Sequence, residues 1–137
     1  MSVLRERLAQ APGPLGIGAG LVATLFAASG VVHLVRPSVF EPMVPDLLPG
    51  ATELVLASGV AELLCAAGLV WPRTRLLAGP ASAALLVAIF PANVAMTVDA
   101  WQGYRAGEDS AGWLAGTVAR LPLQLPLIWW AWRAGRR

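Results

Sequence analysis

One cysteine, Cys65, and one histidine, His33, are all that the 137 residues hold of either type. A single cysteine excludes a dithiol pair and an intramolecular disulfide cycle. A single histidine excludes a haem held by two histidines of one chain. Metal chemistry has little to build on, since His33 with Glu62 matches no recognised ligand spacing. Charge is scarce as well, at 13 % of residues, and a net +2 suggests no nucleic-acid surface. Apolar residues take the space: 57 % of the chain is hydrophobic and the mean hydropathy is +0.65, above the roughly 45–50 % apolar usage of soluble domains.

Four stretches approach the ~20 apolar residues that cross a hydrocarbon core. They are residues 15–35, 52–71, 76–98 and 113–132, and they leave no room for a separate soluble domain. The expectation is one all-α unit over residues 1–137, an integral-membrane antiparallel four-helix bundle. Arg5 and Arg7 precede an apolar run ending in Ala27-Ala28-Ser29, which has the outline of a secretory signal. The run continues to Val35, longer than a typical signal core, so an uncleaved first span is expected.

Orientation follows the arginines, because short Arg-rich loops stay cytoplasmic. Arg5, Arg7, Arg73, Arg75, Arg133, Arg136 and Arg137 fall on one side of the spans, whereas Arg36 and Arg105 share the other with six acids. Both termini are therefore expected in the cytoplasm. Trp71, Trp129, Trp130 and Trp132 mark the inner interface, and Trp101, Tyr104 and Trp113 the outer one.

Each span carries a polar stripe at helical spacing: Ser29 and His33, Ser58 and Glu62, Asn93 and Thr97, then Thr117, Arg120 and Gln124. Glu62 is the costliest, since a carboxylate in a bilayer core is penalised by about 2.5 kcal/mol or more and demands a partner. Arg120 is the expected counter-ion. At ~1.5 Å per residue, Glu62 lies about 15 Å below the outer end of its helix, and Arg120 and Gln124 about 11 and 17 Å below theirs. The stripes should converge in the outer half of the membrane, as a ligand-binding or polar centre of His33, Ser58, Glu62, Asn93, Arg120 and Gln124. Above it, residues 36–50 read RPSVFEPMVPDLLPG, four prolines separated by apolar residues. This pattern suppresses regular helix and resists full exposure, which suits a lid over the outer mouth or a turn resting on lipid headgroups.

Structural uses stand beside each functional one. Glu62 with Arg120 would also fix helix register as a buried pair. Asn93 and Gln124 would serve as interhelical hydrogen-bonding glue, and Cys65 as a small packing residue. Gly16 to Gly20 has no preceding strand and no lysine, so it reads as close helix packing rather than a phosphate loop. Pro91 frees a backbone carbonyl, which would open a cavity or merely shape the packing.

Taken in order, several pieces resemble the DoxX-like family of small four-helix membrane proteins. They are His33 with Pro37 and Phe40; Val44-Pro45 and Leu48-Pro49; Ser58-Gly59 with Glu62; and Pro72, Thr74 and Arg75. Phe90-Pro91-Ala92-Asn93 and Arg120-Leu121-Pro122-Leu123-Gln124 complete the set. The resemblance implies a four-span bundle in a bacterial cytoplasmic membrane and a link to membrane redox or sulfur metabolism, without assigning a reaction. Expected from it is a membrane partner of a quinone-linked or oxidative-stress redox system. A quinone would sit beneath the loop, with Phe40 and Phe90 as apolar walls, and no cofactor is required by the residues. The alternative is a non-catalytic scaffold or assembly subunit, as a redox-complex member or a homo-oligomer. A small-solute transporter is a third reading, which four helices give little room for.

Overall fold

The computed structural model describes residues 2–9 and 13–136 and is helical throughout, with no strand among them. A short helix α1 (Ser2–Ala9) precedes four long ones: α2 (Ile17–Val35), α3 (Ala51–Val70), α4 (Arg75–Ala106) and α5 (Ala111–Ala134). The expected spans each fall on one of these, with ends moved by at most eight residues. Arg137, counted above among the inner arginines, lies outside the described residues, as do Met1 and residues 10–12.

The chain's punctuation explains the ends. α2 stops at Arg36, whose φ of −136° and ψ of 64° leave the helical region because Pro37 disfavours it in the residue before. α3 opens after Gly50, held at φ 73°, a left-handed conformation in which glycine has no Cβ to clash. It closes at an extended Trp71, again ahead of a proline. Its last carbonyls are capped from α4: Thr74 Oγ1 donates to Gly68 O at 2.8 Å and Arg75 Nε to Leu69 O at 2.8 Å. α4 ends in a second left-handed glycine, Gly107 at φ 78°. α5 is started by Ser110, whose Oγ accepts from the Trp113 N–H at 3.1 Å. Removing that cap in Ser110→Ala is expected to lower stability by about 1 kcal/mol, read as a lower thermal midpoint in detergent.

The third long helix extends beyond the expected 76–98 span. α4 has 32 residues and runs through Pro80 and Pro91 to Ala106. At ~1.5 Å per residue it is about 48 Å long, well beyond a ~30 Å hydrocarbon core. Residues 99–106, which include Asp99, Trp101 and Arg105, are polar enough to leave the membrane yet have no reason to leave the helix. The expected long loop over 102–112 shrinks accordingly to four residues, 107–110.

The four long helices form a ring, α2 against α3, α3 against α4, α4 against α5 and α5 back against α2. Facing residues run in opposite directions along α4 and α5, from Gly79 beside Ala131 to Thr97 beside Thr117. One half of the bundle is filled by Val22, Phe26, Ala66, Leu69, Ala83, Leu86 and Ala131. Many of these are alanines, which let backbones approach where no hydrophobic drive separates helix from lipid. Cys65 packs partly buried against this core. Outside, Leu21, Leu25, Leu64, Leu77, Leu123 and Leu125 are exposed, an apolar surface suited to lipid. α2, α3 and α4 are long and apolar enough to cross a membrane; α5 has the length but, with Arg120, Gln124 and its tryptophans, less apolarity.

Candidate functional site

The half of the bundle away from the apolar core carries the polar residues, and they form two clusters on two helix pairs. The first joins α2 and α3. Glu62 is 2 % exposed, and His33 Nδ1 lies 3.4 Å from its Oε2. His33 Nδ1 also lies 2.7 Å from the Ser29 carbonyl, one turn earlier in α2. A carbonyl only accepts, so Nδ1 carries a proton and spends it on Ser29. Glu62 Oε2 is consequently left without a hydrogen bond while remaining buried. Among the described residues no hydrogen bond reaches this atom, although the Ser29 hydroxyl interacts with the same carboxylate group.

Close packing brings the pair together. Gly30 and Gly59 face each other: a Cβ on Gly30 would stand 2.8 Å from Gly59 O, and one on Gly59 would stand 2.7 Å from the Cβ of His33. Any larger side chain at either position would move His33 away from Glu62. The Pro-rich loop covers the cluster. It forms two short 3-10 turns, Pro37–Val39 and Glu41–Met43, which rest on α2, α3 and α4. Thr52 Oγ1 donates to Glu41 Oε1 at 2.8 Å and ties the loop to the start of α3. Phe40 stacks on the His33 ring, with centroids 3.8 Å apart and planes 12° from parallel.

The second cluster lies on the α4–α5 seam. Asn93 Nδ2 donates to Gln124 Oε1 at 2.9 Å, and Gln124 Nε2 donates to the Leu86 carbonyl. Leu86 precedes by one residue the Val87 carbonyl that Pro91, lacking an N–H, leaves without its helical donor. Thr97 Oγ1 lies 3.0 Å from Asn93 O and 3.2 Å from Thr117 O, sharing one proton between them. Gln124 and Thr117 are buried, at 3 % and 2 %.

Arg120 makes no direct ion pair with Glu62, although its charge is near enough to act on that carboxylate. Its Nη1 contacts Met96 Sδ at 3.7 Å, it makes no ion pair among the described residues, and its side chain is exposed. The physical reason is azimuth: Arg120 shares the α5 face of Thr117 and Gln124, which is turned to α4, whereas Glu62 is turned to α2. Ser58 is half-buried on α3, and Phe90 is 39 % exposed on α4. Sequence reasoning overlooked Ser82, wholly buried with an Oγ that has no hydrogen bond, and Met96, the sulfur beside Arg120. Ser82 sits among alanines and leucines in α4, and only its burial distinguishes it.

Chemically, the first cluster holds an acid and an imidazole in contact beneath an aromatic cover, which is a site able to bind a polar group or pass a proton. The second is a set of largely satisfied hydrogen bonds, which fixes helix register. Among the described residues no group of three or more His, Cys, Asp or Glu converges as a metal site would require. No curated protein and no solved structure matches the chain. Residues 22–135, which include both clusters and the loop above them, match a family model, and the chain belongs to that family, the one described as Domain of unknown function (DUF8561).

Proposed function

We propose that this is a DoxX-like protein of the bacterial cytoplasmic membrane, crossing it four times with α5 as the fourth span and both termini in the cytoplasm. Its outer-half site, Glu62 with His33 beneath Phe40, would bind a small polar-headed ligand of the quinone class, as the membrane partner of a quinone-linked redox system. The observation that carries this reading is the buried Glu62 carboxylate oxygen with no hydrogen bond, beside an imidazole whose Nδ1 proton is committed to Ser29. Ionisable groups at such depth are retained for function by default. Reduction of a quinone takes up two electrons and two protons; the electrons would come from the partner, and the Glu62–His33 pair offers a proton route. The aromatic face of Phe40 and the apolar loop would supply the rest of the contact.

Purified protein titrated with a short-chain ubiquinone, followed by native mass spectrometry, tests it. Wild type is expected to hold quinone and Glu62→Gln to bind at least about tenfold more weakly, the scale of one charge-assisted hydrogen bond. Wild type that takes up no quinone would remove this reading.

One observation favours the scaffold alternative. Arg120 is a cation in an apolar helix, exposed on the bundle, and among the described residues its hydrogen bond goes to a thioether. A carboxylate on a partner helix, or on a second copy of this chain, would satisfy it. If so, Arg120→Leu would abolish copurification of that partner while leaving quinone binding intact.

A further inference from the structure

At the opposite end of α2 from His33 and the Pro-rich loop, a cavity of about 330 Å³ opens between the start of α2, the start of α4 and the end of α5. Arg75, Trp129, Trp130 and Arg133 line it together with Gly16 and Gly18, and among the described residues no acidic side chain does. Arg75 is 7 % exposed, and it donates to three carbonyls: Leu69 O at 2.8 Å, Gly13 O at 3.0 Å and Val70 O at 3.4 Å. A guanidinium carries five N–H donors, so two have no acceptor among the described residues. The Arg133 guanidinium lies 5.4 Å from the centre of the Trp129 ring, a cation–π contact that keeps it at the cavity wall. α2 begins here at Gly16, whose lack of a side chain leaves the first-turn N–H groups without a cap. Gly18 packs so close to Trp130 that a Cβ would overlap the indole. Two cations with no acid among the lining residues, beside the positive end of a helix, make the cavity an anion trap.

We propose that this cavity binds a phosphate group, with Arg75 and Arg133 donating to its oxygens and the tryptophans packing on the atoms esterified to it. The adjacent indoles belong to the aromatic belt at the membrane interface, and basic pockets between spans at that level take anionic headgroups. An anionic phospholipid is therefore the source the position favours, with a soluble phosphate ester as the other carrier of the same chemistry. The inference is independent of the outer-half site, from which the cavity is separated by the apolar core.

Full-length protein, delipidated in an uncharged detergent, would be titrated with phosphatidylglycerol, phosphatidylcholine and inorganic phosphate and read by native mass spectrometry. Phosphatidylglycerol is expected to be retained about fivefold better than phosphatidylcholine, and Arg133→Gln to lose about that factor. Arg136 stacks on Trp132 at 4.3 Å and is not among the lining residues, so Arg136→Gln should leave retention unchanged. Displacement of bound lipid by millimolar phosphate would keep the phosphate site and assign it to a soluble ester; resistance to displacement would assign it to lipid. Equal losses in Arg133→Gln and Arg136→Gln, or a wild type that prefers neither phosphatidylglycerol nor phosphate, would overturn the proposal.

Discussion

His33→Leu is expected to destabilise the bundle by about 3 kcal/mol, the cost of leaving a buried charge without its partner, while His33→Leu with Glu62→Leu regains most of that loss. The asymmetry follows from the site. Glu62 is 2 % exposed, its Oε2 has no hydrogen bond, and His33 at 3.4 Å is its one ion-pair partner among the described residues. Removing the imidazole also unstacks Phe40 and loosens the loop that covers the pair. Removing both polar groups leaves two apolar side chains between α2 and α3, where the glycines already bring the backbones close. Reversible unfolding in mixed micelles would measure all three variants. A double variant as unstable as the single one would show that the pair holds the helices together directly. A double variant that is stable but no longer binds quinone would separate the ligand role from the structural one.

Much of this arrangement is legible in the chain alone. Long apolar runs interrupted by Pro37, Gly50, Pro72 and Gly107 place the helices, since each interruption has a local conformational cause. The polar stripes are legible too, because three- and four-residue spacing fixes which residues share a face. What spacing does not fix is the rotation of each helix about its own axis. Arg120 and Glu62 have suitable depth and opposite charge, yet they face different neighbours. His33 reaches Glu62 because Gly30 and Gly59 allow the closest approach on that side. The far end of α4 escapes for another reason: hydropathy reports where the membrane ends, not where the helix does. Arg75 reads as a topology signal, and its burial under three carbonyl acceptors emerges only once α3 and α4 are packed.

Gly79→Val should be among the most damaging single substitutions in the protein, and even Gly79→Ala is expected to cost about 2–3 kcal/mol, the upper range for overpacking. A Cβ at Gly79 would stand 2.6 Å from Gly135 N and 2.7 Å from Ala131 O. Both obstacles are backbone atoms, so no rotamer change relieves the contact; α4 and α5 must move apart. Gly135 repeats the constraint from the other side, with the Leu76 carbonyl 2.9 Å from its own would-be Cβ. Separation there would displace Arg75 from the α3 carbonyls it caps and widen the cavity that Arg133 lines, so loss of phosphatidylglycerol retention should accompany the loss of stability. Gly116→Ala is the matched control. It lies in α5 with nothing within 4 Å of where the new methyl would stand, so alanine there should be neutral or stabilising by up to about 1 kcal/mol through helix propensity. The contrast isolates backbone contact from glycine content. Equal thermal midpoints for the two alanine variants would mean that α4 and α5 are not seated as closely as Gly79 and Gly135 place them.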